Sequence, residues 1–357
     1  MAFLRFNEKT LQVAGVVAFY MTAALVMVFV NKAVLNNSPD LPLLFLLLQL
    51  LIAVVLLHLS AAVSKRIEIP KLDIAVAKKL VPVVLVNIIG LVFNTLCLRD
   101  VEASFFQIAR GLVLPLTIVV SCIHTRTTPS KKVVCAAAAV TLGFMVGVAP
   151  SSTLPIAAIP SSLSLVYGVL SSLFIAFHAV LIKSSLPHCN NSTIELAWWT
   201  NAGSAIFLFP FVILHGEPWT ILEMARSTDW DWTVFFWGSI VTGVFGFLLC
   251  VAGLLSIKVT SPITHMFSSA ARSVLQTLLG VGIFGDILNV NRAASILVIL
   301  GGTMFYTWAK SVESTPTPPS RQADIESGDR GYIPLKAEGR SSVPRSPGPD
   351  TPSEEKD

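Results

Sequence analysis

From Leu11 to Ala309 the chain is a succession of apolar blocks, each roughly 18–25 residues long and joined by short polar stretches. That is about the length an α-helix needs to cross the hydrocarbon core of a bilayer. Ten blocks fit, at about 11–35, 41–60, 81–98, 104–124, 133–149, 163–186, 194–214, 232–255, 261–284 and 293–309. The predicted fold class is therefore all-α, a polytopic membrane protein of ten transmembrane helices. Composition agrees: 54% of the 357 residues are hydrophobic and 13% charged, against about 25% charged in a soluble domain. A water-soluble globule is excluded, and no sizeable soluble domain remains. The five cysteines are odd in number, form no CxxC pair and mostly sit within apolar runs, so they read as small apolar residues.

Lysine and arginine fall unevenly about these spans. One side collects Arg5, Lys9, Lys65, Arg66, Lys71, Lys78, Lys79, Arg126, Lys131, Lys132, Lys183 and Lys258, and the other only Lys32, Arg99, Arg226 and Arg292. The positive-inside rule makes the first side cytosolic, and an even number of spans puts both termini there. The first span reads as an uncleaved signal anchor, and the stretch before it is neither Arg-rich nor Ser-rich, which disfavours an organellar inner membrane. The expected layout is a membrane domain over 1–310 and a tail over 311–357. That tail is rich in Pro, Ser, Thr and mixed charge, so it is expected to be disordered. Its Tyr332-Ile333-Pro334-Leu335 has the form of a sorting signal, a weak pattern in such a segment.

The domain also reads as a repeat. The fourth span contains Phe105-Phe106-Gln107-Ile108-Ala109-Arg110-Gly111-Leu112 and the ninth Phe267-Ser268-Ser269-Ala270-Ala271-Arg272-Ser273-Val274, five helices apart. Lys32 and Lys183 likewise end the first and sixth spans. A repeat of odd helix number inverts its topology, so two halves at about 11–149 and 163–309 would face opposite ways, the geometry of alternating access.

Arg110 and Arg272 lie deep in apolar spans, where each guanidinium costs at least ~2.5–3.5 kcal/mol. Apart from Glu195 at the very start of the seventh, no Asp or Glu lies inside the ten spans; Asp100, Glu102 and Asp286 are at loop ends. The partner these arginines call for is an anion that comes and goes. With Arg272, the residues His265, Ser268, Ser269 and Gln276 form one polar stripe down the ninth helix, facing a wet cavity. Ser104, Gln107, Arg110, Thr117 and Ser121 make a similar stripe on the fourth helix, and Asn87 and Asn94 share a face of the third. On the seventh, Trp198, Trp199, Thr200, Asn201 and Ser204 combine rings with hydrogen-bonding groups that could stack a planar base, or serve helix packing. His178 reads as structural.

Proton- and sodium-coupled carriers keep a carboxylate in the membrane for the coupling ion, so its absence favours exchange of one anion for another. The chain carries no HExxH, GxSxG or Walker-type motif, so an enzyme is not expected, and nothing calls for a cofactor, a metal or nucleic acid.

These residues resemble a known family: the nucleotide-sugar transporters of the drug/metabolite transporter superfamily, most closely the GDP-fucose transporters. The resemblance covers most of 10–310 and is carried by Ser104 through Leu112, by Thr260-Ser261-Pro262-Ile263-Thr264-His265 continuing to Arg272 and Gln276-Thr277, and by Gly301-Gly302 with Tyr306-Thr307-Trp308. Arg110 matches the arginine of the family's fourth-helix motif, and Arg272 its ninth-helix phosphate-binding lysine. Gln107 stands in place of an asparagine, and Trp198-Trp199-Thr200-Asn201 where GDP-sugar carriers have FYNN. The resemblance implies ten helices in two inverted repeats around a central cavity. It further implies a multi-pass Golgi membrane protein, with the endoplasmic reticulum also open, that brings a nucleotide sugar into the lumen and returns a nucleoside monophosphate. GDP-mannose or another nucleotide sugar stays open as substrate, as do a homodimer and a non-transporting scaffold with an altered site. The partners expected are thus the nucleotide sugar, the nucleoside monophosphate and the lipid bilayer.

Overall fold

The computed structural model describes residues 8–64, 68–149, 160–227, 230–259 and 262–314, with the side chains of 8–14 and 250–270 left undescribed. The tail from 315 onward, and with it the sorting pattern, lies outside them. The described elements are all helical: α1 Glu8–Asn37, α2 Pro42–Val63, α3 Ile74–Asp100, α4 Ala103–Gly111, α5 Val113–Thr125, α6 Lys131–Val148, α7 Ser162–Ser185, α8 Thr193–Leu214, α9 Glu217–Met224, α10 Trp232–Val259, α11 Pro262–Leu279 and α12 Val290–Ser314. Among the described residues, nine helical spans are long and apolar enough to cross a bilayer, and a shorter apolar stretch, Ala271–Phe284, completes α11 with a π-turn.

Local chemistry explains where the helices depart from the predicted spans. The third begins at Ile74, before the predicted start, because the Asp73 carboxylate accepts from the Ala75 amide and caps the added turns, with Pro82 tolerated inside. The fourth span is two helices, α4 and α5, meeting at Leu112. Pro115 has no N–H to offer the Gly111 carbonyl and crowds it, so the helix breaks just after Arg110. The short helix α9 was not anticipated. It holds Glu217, whose buried carboxylate accepts from the Leu43 and Leu44 amides at the start of α2. Burial pushes that carboxyl up from its usual range, and the two amides pull it back.

The surface is inside out relative to a soluble protein. Val55, Leu142, Ile206 and Leu297 are more than half exposed, whereas Ser104, Ser172, Ser204, Thr242 and Ser295 are buried. Small and hydroxyl side chains bring helices close, as packing within lipid requires. Numbering the membrane segments with α4–α5 as the fourth and omitting α9, the interfaces repeat under a shift of five. The α3–α7 pair has its counterpart in α10–α1, and α2–α10 in α8–α3, while α6–α12, α2–α8 and α4–α11 map onto themselves. Two interleaved five-helix halves account for this pattern.

One end of the bundle is tied by polar contacts. Asp286 accepts from the Ser104 amide at 2.8 Å, placing a negative charge on the N-terminus of α4. Glu102 forms an ion pair with the buried Arg292, which also donates to the Ile287 carbonyl at 2.7 Å and lies over the Phe105 ring. Gln276 donates to the Ala103 carbonyl, and Lys32 donates at 3.0 Å to the carbonyls of Leu98 and Arg99 at the end of α3. Glu102, Asp286 and Arg292, which read as loop-end charges in the sequence, are therefore buried or half-buried ties. Lys32 is buried while Lys183 is exposed, so these two do not play equivalent parts.

Two outcomes are expected. A Cβ on Gly302 would stand 2.7 Å from Val140 Cγ2 and 3.2 Å from its amide nitrogen, while one on Gly301 meets nothing within 4 Å. Gly302→Leu should cost about 1–3 kcal/mol or more of stability, read as a lower melting temperature in detergent, and Gly301→Leu should leave it nearly unchanged. Glu102→Gln should lower the melting temperature by leaving Arg292 buried and uncompensated, and adding Arg292→Met should recover much of the loss. Independent, additive losses in the pair would show that the two side chains are not coupled.

Candidate functional site

At the centre, α4 and α11 cross and bring the two intramembrane arginines to the walls of the same cavities. Arg110 stands at the end of α4, where the break keeps its guanidinium within the bundle. Its guanidinium carbon lies 5.7 Å from the centre of the Phe106 ring. Arg272 is on α11, and its Nε is buried with no hydrogen-bond partner among the described residues. Among the described residues, neither arginine has an acidic partner within ion-pair distance.

Two cavities meet at this pair. The first holds about 480 Å3 between α1, α3, α4 and α7, with Tyr20, Asn31, Asn87, Asn94, Phe174 and His178 on its walls beside both arginines. The second holds about 460 Å3 between α4, α5, α11 and α12, with Gln107, Thr117, Thr303 and Tyr306 facing it together with the same two arginines. A smaller chamber of about 160 Å3 carries Gln49, Asn201 and Thr242 and shares Met27 and Leu91 with the first cavity.

The predicted site residues sort themselves accordingly. Arg110, Arg272 and Asn94 line the first cavity, and Gln107 lines the second, donating to Ser273 Oγ at 2.7 Å. Asn201 faces the small chamber, its amide donating to the Ala197 carbonyl one turn back. Gln276 is buried and ties α11 to α4 through the Ala103 carbonyl. Trp198 packs edge-on to Trp199 and His58 in a buried cluster with Leu80 and Val83. Its indole Nε1 is buried with no hydrogen-bond partner among the described residues. The side chains of His265, Ser268 and Ser269 lie outside what is described, as does Ser261 just before the ninth-helix stripe.

The sequence reading did not identify Tyr20, Asn31, Thr303 or Tyr306 as cavity residues and took His178 as structural. Asn31 was the one with a legible signal, an amide in an apolar run; it accepts from Gln49 Nε2 at 2.8 Å. His178 faces the first cavity, its Nε2 buried with no hydrogen-bond partner among the described residues.

Chemically, the site offers concentrated positive charge with amides, rings and hydroxyls on either side, a setting that binds an anion and orients what is attached to it. Among the described residues no group of His, Cys, Asp and Glu could hold a metal ion.

Comparison with known proteins agrees with this architecture. The chain is 30% identical over 311 residues to GDP-fucose transporter 1 of Dictyostelium discoideum, covering 84% of this chain and 81% of that protein. It is 29% identical over 325 residues to GDP-fucose transporter 1 of Mus musculus, covering 87% of each. It is 28% identical over 320 residues to the Golgi GDP-fucose transporter of Drosophila melanogaster, covering 87% of this chain and 93% of that one. A solved crystal structure shares the fold with a TM-score of 0.51 at 16% identity, covering 85% of this chain and 99% of its own. The model of the Triose-phosphate Transporter family, which lies within the drug/metabolite transporter superfamily, matches residues 11–307, and the chain belongs to that family.

Proposed function

We propose that the protein is a nucleotide-sugar antiporter of the Golgi membrane, carrying a GDP-sugar of the GDP-fucose type from the cytosol into the lumen in exchange for GMP. The observation that carries this reading is the pair Arg110 and Arg272, lining shared cavities with no acidic partner among the described residues. Such a pair is matched by a diphosphate, whose oxygens meet the paired donors of each guanidinium. The GDP-fucose transporters among its relatives support the choice of ligand class.

The positive-inside asymmetry orients the carrier with both termini in the cytosol. On that orientation the polar ties among Glu102, Asp286, Arg292 and Lys32 close the luminal end, and alternating access opens them. Asn190 and Asn191, each opening an N-x-[ST] sequon, lie on the cytosolic turn before α8, both in the left-handed region with φ of 51° and 56°. Neither should carry glycan, and the tail should be cut by protease added outside sealed Golgi vesicles. Glycan on either asparagine would reverse the orientation.

Exchange is tested in liposomes. Uptake of labelled GDP-fucose should be stimulated by preloading with GMP and should need no proton or sodium gradient. Uptake that depends on a proton gradient and ignores preloading would overturn the exchange reading.

Arg272 tests the anion site. Each charged hydrogen bond contributes ~1.5–3 kcal/mol, so Arg272→Ala should weaken GDP-fucose and GMP binding about tenfold or more, read by ligand-induced thermal shift on purified protein. Arg272→Lys keeps the charge without the planar fork and should retain substantial binding and transport. Undiminished stabilisation of Arg272→Ala by both ligands would remove the anion site from the argument, whatever the transport rate.

A further inference from the structure

The two cavities at the arginine pair differ in what they can recognise. In the second, the hydroxyls of Thr117 and Thr303 have each given their proton to a backbone carbonyl, of Val113 and of Ile299, both at 2.7 Å. Gln107 has given one amide hydrogen to Ser273, which leaves its carbonyl oxygen and its second N–H to offer a ligand. Tyr306 adds a hydroxyl, for which no partner is found among the described residues. The rest of that wall is aliphatic, with Val113, Leu114, Ile299 and Leu300. Apart from the arginines, the described lining offers acceptor oxygens from Thr117, Thr303 and Gln107 and donors from Tyr306 and the second Gln107 N–H, spaced out in an apolar setting. A phosphate, which only accepts, uses little of this mixed set. A hexose brings a ring of O–H donors and an apolar C–H face, and a deoxy sugar adds a methyl group.

The first cavity is built differently. It carries the rings of Tyr20, Phe106 and Phe174, which give flat surfaces for stacking. Its amides are engaged in opposite senses: Asn31 and Asn94 accept through Oδ1, from Gln49 and from Ser171, which leaves their NH2 groups to donate. Asn87 donates to Ser204 and so keeps its carbonyl oxygen to accept. Mixed donors and acceptors beside flat rings suit the edge and face of a purine.

We propose that the cavity walled by α5 and α12 is the sugar subsite and that the cavity walled by α1, α3 and α7 holds the nucleoside, with the diphosphate spanning them at Arg110 and Arg272. This rests on the nucleotide-sugar reading above and deepens it, since it names the side chains that distinguish the incoming nucleotide sugar from the outgoing monophosphate. GMP then needs only the first cavity and the arginines, and leaves the second unfilled.

The test is the ratio of the dissociation constants of GDP-fucose and GMP, measured on purified full-length protein and its variants. Thr303→Val and Tyr306→Phe each preserve side-chain shape and remove one hydroxyl, so each should raise that ratio about fivefold. Thr117→Val, on another helix, repeats the test should an α12 variant misfold. Asn94→Ala should weaken both ligands together and keep the ratio within about twofold, because both carry the same base. A ratio unmoved by the hydroxyl variants, or raised by Asn94→Ala instead, would overturn the subsite assignment while leaving the carrier reading intact. If neither GMP nor GDP-fucose binds the wild-type protein, the carrier reading fails and the assignment falls with it.

Discussion

Two guanidinium groups at the centre of a membrane domain, with no carboxylate to meet them among the described residues, set the terms for the rest of this structure. Like charges in a low-dielectric interior repel each other, and each also loses hydration. The helices carrying them must therefore be held against that cost by contacts elsewhere. The bundle supplies such contacts through close helix pairs. Gly302 and Gly143 let α6 and α12 approach each other's backbone, Gly147 makes room for the Ser295 and Ile108 side chains, and Gly90 allows a close approach where α3 meets α7. The break at Pro115 then lets α4 end beside Arg110 instead of carrying its helical ladder on unchanged.

The acidic residues are placed where they hold helices. Asp286 faces the N-terminus of α4, and Glu102 pairs with Arg292, both at the end of the bundle where α3 gives way to α4 and α11 to α12. Lys32 at the same end is satisfied by two backbone carbonyls. Charges there have protein partners, whereas the two at the centre have none among the described residues, and that contrast separates the charges that fasten the fold from those left for a ligand. A carboxylate beside Arg110 or Arg272 would have lowered the cost of burying it and weakened its pull on an anion.

Much of this was legible in the sequence because burial of charge in lipid is so costly. Arg110 and Arg272 stood out as cations within apolar spans, and the succession of membrane-length helices followed from block length alone. The break in the fourth span was signalled by Pro115 but not read, because a proline near a predicted helix end and one in its middle look alike without knowing where packing holds the chain. Glu102, Asp286 and Arg292 were read as loop charges because sequence distance hides the return of the α11–α12 connection onto the start of α4. Trp198 was read as a surface that could stack a base or serve helix packing, and in the fold it lies edge-on to Trp199 and His58 in a buried cluster. Thr303 gave no signal, since a threonine within a helix more often bonds back along its own helix, as Thr303 also does, and Tyr306 entered only through the tenth-helix resemblance.

The same charge arrangement gives exchange a physical basis in the proposed reading. An empty carrier that reoriented would have to move two uncompensated guanidiniums through its closed intermediate, where both cavities lose water and the effective dielectric falls. With a nucleotide phosphate between them, the pair is neutralised and its hydrogen-bond donors are filled, so the barrier to reorientation is lower loaded than empty. A carrier built in this way returns efficiently only with an anion aboard. The leaving monophosphate then serves as the counter-charge for the return, a part that an intramembrane carboxylate and its coupling ion would otherwise play.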